Sequence, residues 1–187
     1  MMKQALIVVD IQNDYFPGGN LPTDHPVETA QAVAKLIAKF RQEGKEVVFV
    51  QHITTEEQYK KLPIMKDNSK GAEIHELVRP LPTEKVVRKH HVSSFVGTDL
   101  DAYLKSKEID TVVAVGMMIH NCVNATVYDA NVNGYQCFVV DEAVNTFDQK
   151  LHGEIIPAKQ IKDSFLAGIQ FFMAKVVRLD DALNDKY

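Results

Sequence analysis

Short β-branched apolar runs, each stopping at a polar residue or a glycine and separated by helical stretches, constrain this chain more than any other feature. Gln4–Val9 (QALIVV) ends at Asp10, Glu46–Gln51 (EVVFVQ) at His52, and Thr111–Val115 (TVVAV) at Gly116. Glu84–Arg88 leads into Lys89, Gln136–Val140 stops at Asp141, and Val176–Leu179 supplies a last run. Between them, Val27–Glu43 repeats Ala30, Val33, Ile37 and Phe40 at helical spacing up to Gly44. Thr98 reads as the N-cap of a helix carrying Leu100, Tyr103 and Leu104. A further helix runs from Cys122 to Gly134, and Ala158–Ala174 places Ile161, Phe165, Ile169 and Phe172 on one face. Strands apolar on both faces belong to a parallel sheet covered on both sides. With right-handed crossovers the expected class is α/β, a doubly wound three-layer α/β/α sandwich on a six-stranded parallel sheet of order 3-2-1-4-5-6.

The 187 residues suit one domain, 1–187, with no repeat or linker to divide it. A net charge of −4 argues against nucleic acid, which calls for a basic face. No apolar run approaches the ~18–20 residues of a membrane span, and MMKQALIVVD lacks the features of a signal peptide. Two cysteines, Cys122 and Cys137, are too few for a disulfide framework. The expectation is a cytoplasmic protein with a small-molecule substrate and neither a nucleic-acid nor a membrane partner. The Phe165–Met173 segment has more apolar faces than one sheet contact needs, so a homo-oligomer is expected; sedimentation showing only monomer would contradict it.

In doubly wound folds the ligand sits beyond the C-terminal strand ends, where the strand order reverses. Asp10, Lys89 and Cys122 all follow strand ends, and the expected order makes strands one and four neighbours. Each residue has an ordinary reading: a strand-terminating turn residue, a solvated charge, a small buried apolar residue. Together they form a set for acyl transfer. Cys122 lies between a strand end and a helix start, where free N–H groups and the helix dipole favour a thiolate. Asp10 would take the thiol proton and return it to a leaving amine. Lys89 would favour both anions, and N–H groups of the turn Met117–Cys122 would meet the oxyanion.

On these residues the chain resembles the isochorismatase-like cysteine hydrolases, which include nicotinamidase and N-carbamoylsarcosine amidase. The resemblance rests on Asp10-Ile11-Gln12-Asn13-Asp14 with Phe16, on Lys89, Ser93-Ser94-Phe95, Gly97-Thr98 and Leu100, and on Gly116, Cys122-Val123, Ala125-Thr126 and Asp129-Ala130. It implies a catalytic triad of Asp10, Lys89 and Cys122 working through a thioester. It also implies a cis peptide at Met117–Met118 and an oxyanion hole from the N–H groups of Met118 and Cys122. Two positions depart from the common Gly-x-x-Thr-Asp-x-Cys pattern: Ile119 replaces threonine and His120 replaces aspartate. Nicotinamidases carry an Asp-x-His metal motif where this chain reads Gln51-His52-Ile53-Thr54, so no catalytic metal and no cofactor is expected.

Phe16 and Phe95 are expected to wall the pocket, with His52, Met117 and Ile119 beside them. Asn13 and Ser94 are expected to tie down the strand-end loops, and Cys137 to be structural. Substrate choice should lie in the loops His52–Pro82 and Tyr15–Pro26. The leading expectation is hydrolysis of a C–N bond in a small amide or carbamoyl compound. The alternatives are vinyl-ether hydrolysis, which needs no nucleophilic cysteine, and a non-catalytic small-molecule-binding member.

Overall fold

The computed structural model describes residues 2–187. Its strands are β1 (Gln4–Val9), β2 (Glu46–His52), β3 (Lys85–Lys89), β4 (Thr111–Met117), β5 (Gln136–Asn145), β6 (Gln149–Leu151), β7 (Glu154–Ile156) and β8 (Lys175–Val177). Its helices are α1 (Pro26–Gln42), α2 (Glu56–Lys61), α3 (Leu100–Ser106), α4 (Asn124–Val132), α5 (Ala158–Phe172) and α6 (Leu179–Leu183). Six strands form one parallel sheet in the order β3-β2-β1-β4-β5-β8, the expected topology with β8 as its sixth strand.

The two faces of the sheet follow the strand alternation. Leu6, Val8, Phe49, Val113 and Val115 point to one side and pack under Ala30, Val33, Leu36, Ile37 and Phe40 of α1. Ala5, Ile7, Val9, Val48, Val50 and Val112 point to the other, against α3, α4 and α5 through Leu104, Val127 and Ile169. Because β1 is covered on both sides, all six of its residues are buried.

Three features depart from the expected elements. Strand β5 does not stop at Asp141 but runs on to Asn145, through a register shift between the pairs Ala114–Val139 and Gly116–Val144. At this bulge Asp141 turns outward to Lys162 (3.0 Å) and Arg178 (2.8 Å), so its charge is accommodated without ending the strand. The β6–β7 hairpin and α6 were not expected from the sequence pattern; each is too short for periodicity to declare it. Among the described residues no helix is long and apolar enough to cross a membrane. Phe171 and Phe172, at the end of α5, stand 90% and 84% exposed.

Candidate active site

Strand register brings the three strand ends together. Val9 pairs with Val50 on one side and Gly116 on the other, and His52 pairs with Lys89. Gly116 has φ +122°, and a Cβ there would lie 2.0 Å from the Val9 carbonyl oxygen, so only glycine lets β4 approach β1 this closely. Asp10 follows with φ +48°, a left-handed conformation rare for a residue with a side chain. Its N–H donates to the Val50 carbonyl at 3.1 Å. Strain of this kind, held by the surrounding sheet, accumulates at functional sites.

The Asp10 carboxylate and the Lys89 ammonium form an ion pair of 2.8 Å in which neither side chain has any exposed surface. Lys89 Nζ also lies 3.0 Å from Nδ1 of His52, and donates to the carbonyls of His91 (3.0 Å) and Val92 (3.1 Å). Cys122 is buried, and its sulfur lies within 4.8 Å of an Asp10 carboxylate oxygen and a His52 ring nitrogen. The peptide between Met117 and Met118 is cis. A π-helical turn, Ile119–Val123, follows and runs into α4, with the N–H groups of Asn121 and Val123 both donating to the Met118 carbonyl.

Burial dominates the titration of these groups. It pushes the Cys122 thiol up to about 12, reinforced by the Asp10 carboxylate and only partly offset by Lys89. Desolvation thus opposes the thiolate that the helix start and Lys89 favour. For Lys89, burial alone would lower the pKa, but Asp10 and then Cys122 raise it above the ordinary lysine value. Burial brings the His52 imidazole down to about 4, with Lys89 lowering it further and Asp10 opposing. A neutral His52 accepts from the ammonium through Nδ1.

This last shift makes a prediction. An unfolded histidine titrates near 6.5, so between about pH 6.5 and 4 the unfolded chain binds a proton that the folded chain does not. Stability must fall as pH drops through that window, by on the order of 3 kcal/mol in full. His52→Gln should remove this component, flattening the slope of urea-unfolding stability between pH 7 and 4.5. Parallel slopes in the two proteins would show that His52 does not titrate this way.

The remaining expected site residues divide. Phe16 stacks on His75 with ring centroids 3.6 Å apart, and the pair helps to wall a cavity of about 620 Å³ lined also by Asn13, Lys70, Glu73 and Arg79. Asp10, Lys89 and Cys122 do not line it. Phe95 turns instead into the α3–α5 layer, 6.0 Å from the Tyr135 ring. Its turn is fixed by Ser94, whose hydroxyl lies 2.8 Å from that of Thr126. Met117 and Ile119 expose no surface: Met117 packs in the α1-side core, where Thr23 reaches its sulfur, and Ile119 packs on the opposite face. Both are thus as buried as Asp10, Lys89 and Cys122 themselves. Asn13 does tie its loop, donating to the Lys70 carbonyl. Cys137 is buried within β5.

Other contributors went unrecognised. The buried Gln12 amide clamps the backbone of His52 in both directions at 2.8 Å and donates to Ala72 at 2.8 Å. Tyr15 is buried, and its phenol is held protonated by burial, then by Cys122 and Asp10. His120 ties the Ile119–Val123 turn to Thr146 (2.6 Å) and Gln149 (3.1 Å), edge-on to Phe147 and Phe165. Only the clustering of polar residues after β1 hinted at Gln12; nothing in the sequence pattern pairs His120 with Thr146.

Comparison with known proteins agrees with this architecture. Residues 4–158 match the model of the isochorismatase domain. The isochorismatase-family protein YddQ of Bacillus subtilis is 41% identical over 175 residues, 94% of this chain and 96% of its own. A solved structure from Oleispira antarctica, assigned as an isochorismatase hydrolase, superposes with a TM-score of 0.92 at 37% identity, covering 97% of this chain and 96% of that one. N-carbamoylsarcosine amidase from Thermoplasma acidophilum superposes with a TM-score of 0.80 at 31% identity, covering 96% of this chain and 98% of that one. The chain belongs to the isochorismatase family.

Proposed function

We propose that this hydrolase-family member cleaves a C–N bond of a small amide or carbamoyl compound, using Cys122 as nucleophile. The observation that carries the reading is the meeting of a buried carboxylate, ammonium and thiol at the strand-order reversal. As the Cys122 sulfur attacks the substrate carbonyl, Asp10 takes the thiol proton, so no free thiolate has to exist in the dry resting site. The tetrahedral oxyanion is received by the N–H groups of Met118 and Cys122. Collapse breaks the C–N bond, Asp10 returns its proton to the leaving nitrogen, and an acyl thioester remains. Water, deprotonated by Asp10, then attacks the thioester; the C–S bond breaks, the acid leaves, and Asp10 returns the proton to the Cys122 sulfur. Lys89 holds the Asp10 carboxyl in place throughout, while His52 holds the ammonium from the other side.

Likeness to an N-carbamoylsarcosine amidase over nearly the whole chain supports the substrate class. The test is ammonia release from a panel of small amides and carbamoyl compounds. Release by the wild type supports the reading, and none across the panel contradicts it. One observation favours a second reading, vinyl-ether hydrolysis begun by proton delivery from Asp10: the chain is 30% identical over 144 residues to the secreted isochorismatase effector Isc1 of Verticillium dahliae. That reading predicts turnover that survives Cys122→Ala.

A further inference from the structure

Of the two departures from the common Thr-Asp pair before the nucleophile, His120 has a specific place in the structure. It lies in the same π-helical turn as Cys122, two residues before it. Its imidazole presents its two nitrogens to two different segments at once. Nδ1 lies 2.6 Å from the hydroxyl of Thr146, just past the end of β5, and Nε2 lies 3.1 Å from the side-chain amide nitrogen of Gln149 in β6. An amide nitrogen can only donate, so Nε2 is the acceptor and Nδ1–H donates to Thr146. That arrangement needs a neutral ring, and burial lowers the His120 pKa from the ordinary histidine value.

The far end of this tie is firmly held. Thr146 is 1% exposed, and its carbonyl accepts from the Asp24 N–H at 2.8 Å. The neighbouring Asn145 amide donates to the Asp24 carbonyl and to the Thr23 hydroxyl, both at 2.9 Å. Thr146 is thereby fixed to the loop that follows β1. Phe147 and Phe165 meet the imidazole edge-on, at 5.8 and 6.1 Å, and limit its rotation. The turn itself has a rare backbone form, so a side-chain tie to rigid neighbours decides where it sits.

We propose that His120 is the positioning residue of the nucleophile turn: its ties to Thr146 and Gln149 fix the Cys122 sulfur and the N–H groups of Met118 and Cys122 relative to the loop after β1. The tie is independent of the proposed hydrolysis; its effect on turnover rests on that reading. Oxyanion donors matter only in the transition state, so displacing them is felt in kcat and not in KM.

The test is alkylation of the full chain by iodoacetamide at mildly alkaline pH, followed at Cys122 and Cys137 separately by peptide mass. Both thiols are buried. Global opening exposes them together, whereas release of the turn exposes Cys122 alone. His120→Ala should speed alkylation of Cys122 about tenfold relative to Cys137, the scale of one or two lost hydrogen bonds. Thr146→Val should act in the same direction, and the double variant should be no faster than His120→Ala. His120→Asn, whose amide nitrogen stands where Nδ1 does, should restore most of the wild-type protection. An unchanged ratio in His120→Ala, both thiols speeding together, or effects of His120→Ala and Thr146→Val that multiply in the double variant each overturn the proposal. With a turned-over amide, His120→Ala should lower kcat about tenfold or more and leave KM within about twofold; a change confined to KM overturns the positioning role. A shifted alkylation ratio in a protein that releases ammonia from no amide would leave the tie standing and refute the hydrolase reading alone.

Discussion

Replacing Cys122 by alanine is expected to lower kcat/KM by roughly 10⁴-fold or more, the scale on which removal of a nucleophile is felt. The fold should survive. The side chain is small and packs among Ile119, Val123 and Val127, so its truncation should cost about 1 kcal/mol. Cys122→Ser should be nearly as inactive, because a hydroxyl is a much weaker nucleophile and Asp10 is the only carboxylate beside it in the Asp10–His52–Cys122 cluster. Cys137→Ser is the control. That thiol is equally buried in the sheet and is pushed up to about 12 by burial alone, so steady-state kinetics of the purified variant should match the wild type.

Lys89→Met should be the most destabilising single change at the site. The ammonium and the Asp10 carboxylate are both wholly buried, and removing one member of such a pair strands the other charge, costing about 3–5 kcal/mol. For a chain of this size each kcal/mol corresponds to about 2–4 °C in Tm. Thermal unfolding should therefore show a drop of around 10 °C, with activity lost even where the variant remains folded. Adding Asp10→Asn to Lys89→Met removes the stranded charge, so the double variant should regain much of the stability and none of the activity. If Lys89→Met alone melts like the wild type, the pair is not the buried anchor described here.

The three-layer plan was readable because parallel strands buried on both faces leave uninterrupted apolar runs, as in QALIVV and TVVAV. The strand-end rule then singled out Asp10, Lys89 and Cys122, and the register of β1 with β2 and β4 brings their side chains to one place. Asp141 was misread because a charged residue stops a regular strand, whereas a bulge rotates it outward to Lys162 and Arg178. The burial of Cys122 leaves no local sequence signal either. Local sequence reports the helix start beside the thiol, but desolvation comes from elements distant in sequence that close over it. Phe95, Met117 and Ile119 sit close in sequence to Lys89 and Cys122, and all three join the core clusters on the two faces of the sheet. Gln12 and His120 act through long-range hydrogen bonds, which leave no periodicity to read.

The claim at the centre of this account is that the substrate acyl group passes through the sulfur of Cys122. Once the panel has supplied a turned-over amide, acid-quenching the enzyme in the steady state and measuring intact and peptide masses tests it most directly. The expected result is an increment equal to the acyl group, located on the peptide containing Cys122, released by hydroxylamine and absent from Cys122→Ala. Turnover that continues in Cys122→Ala, with no adduct on the wild type, would contradict it and leave acid-initiated hydrolysis at Asp10 in its place.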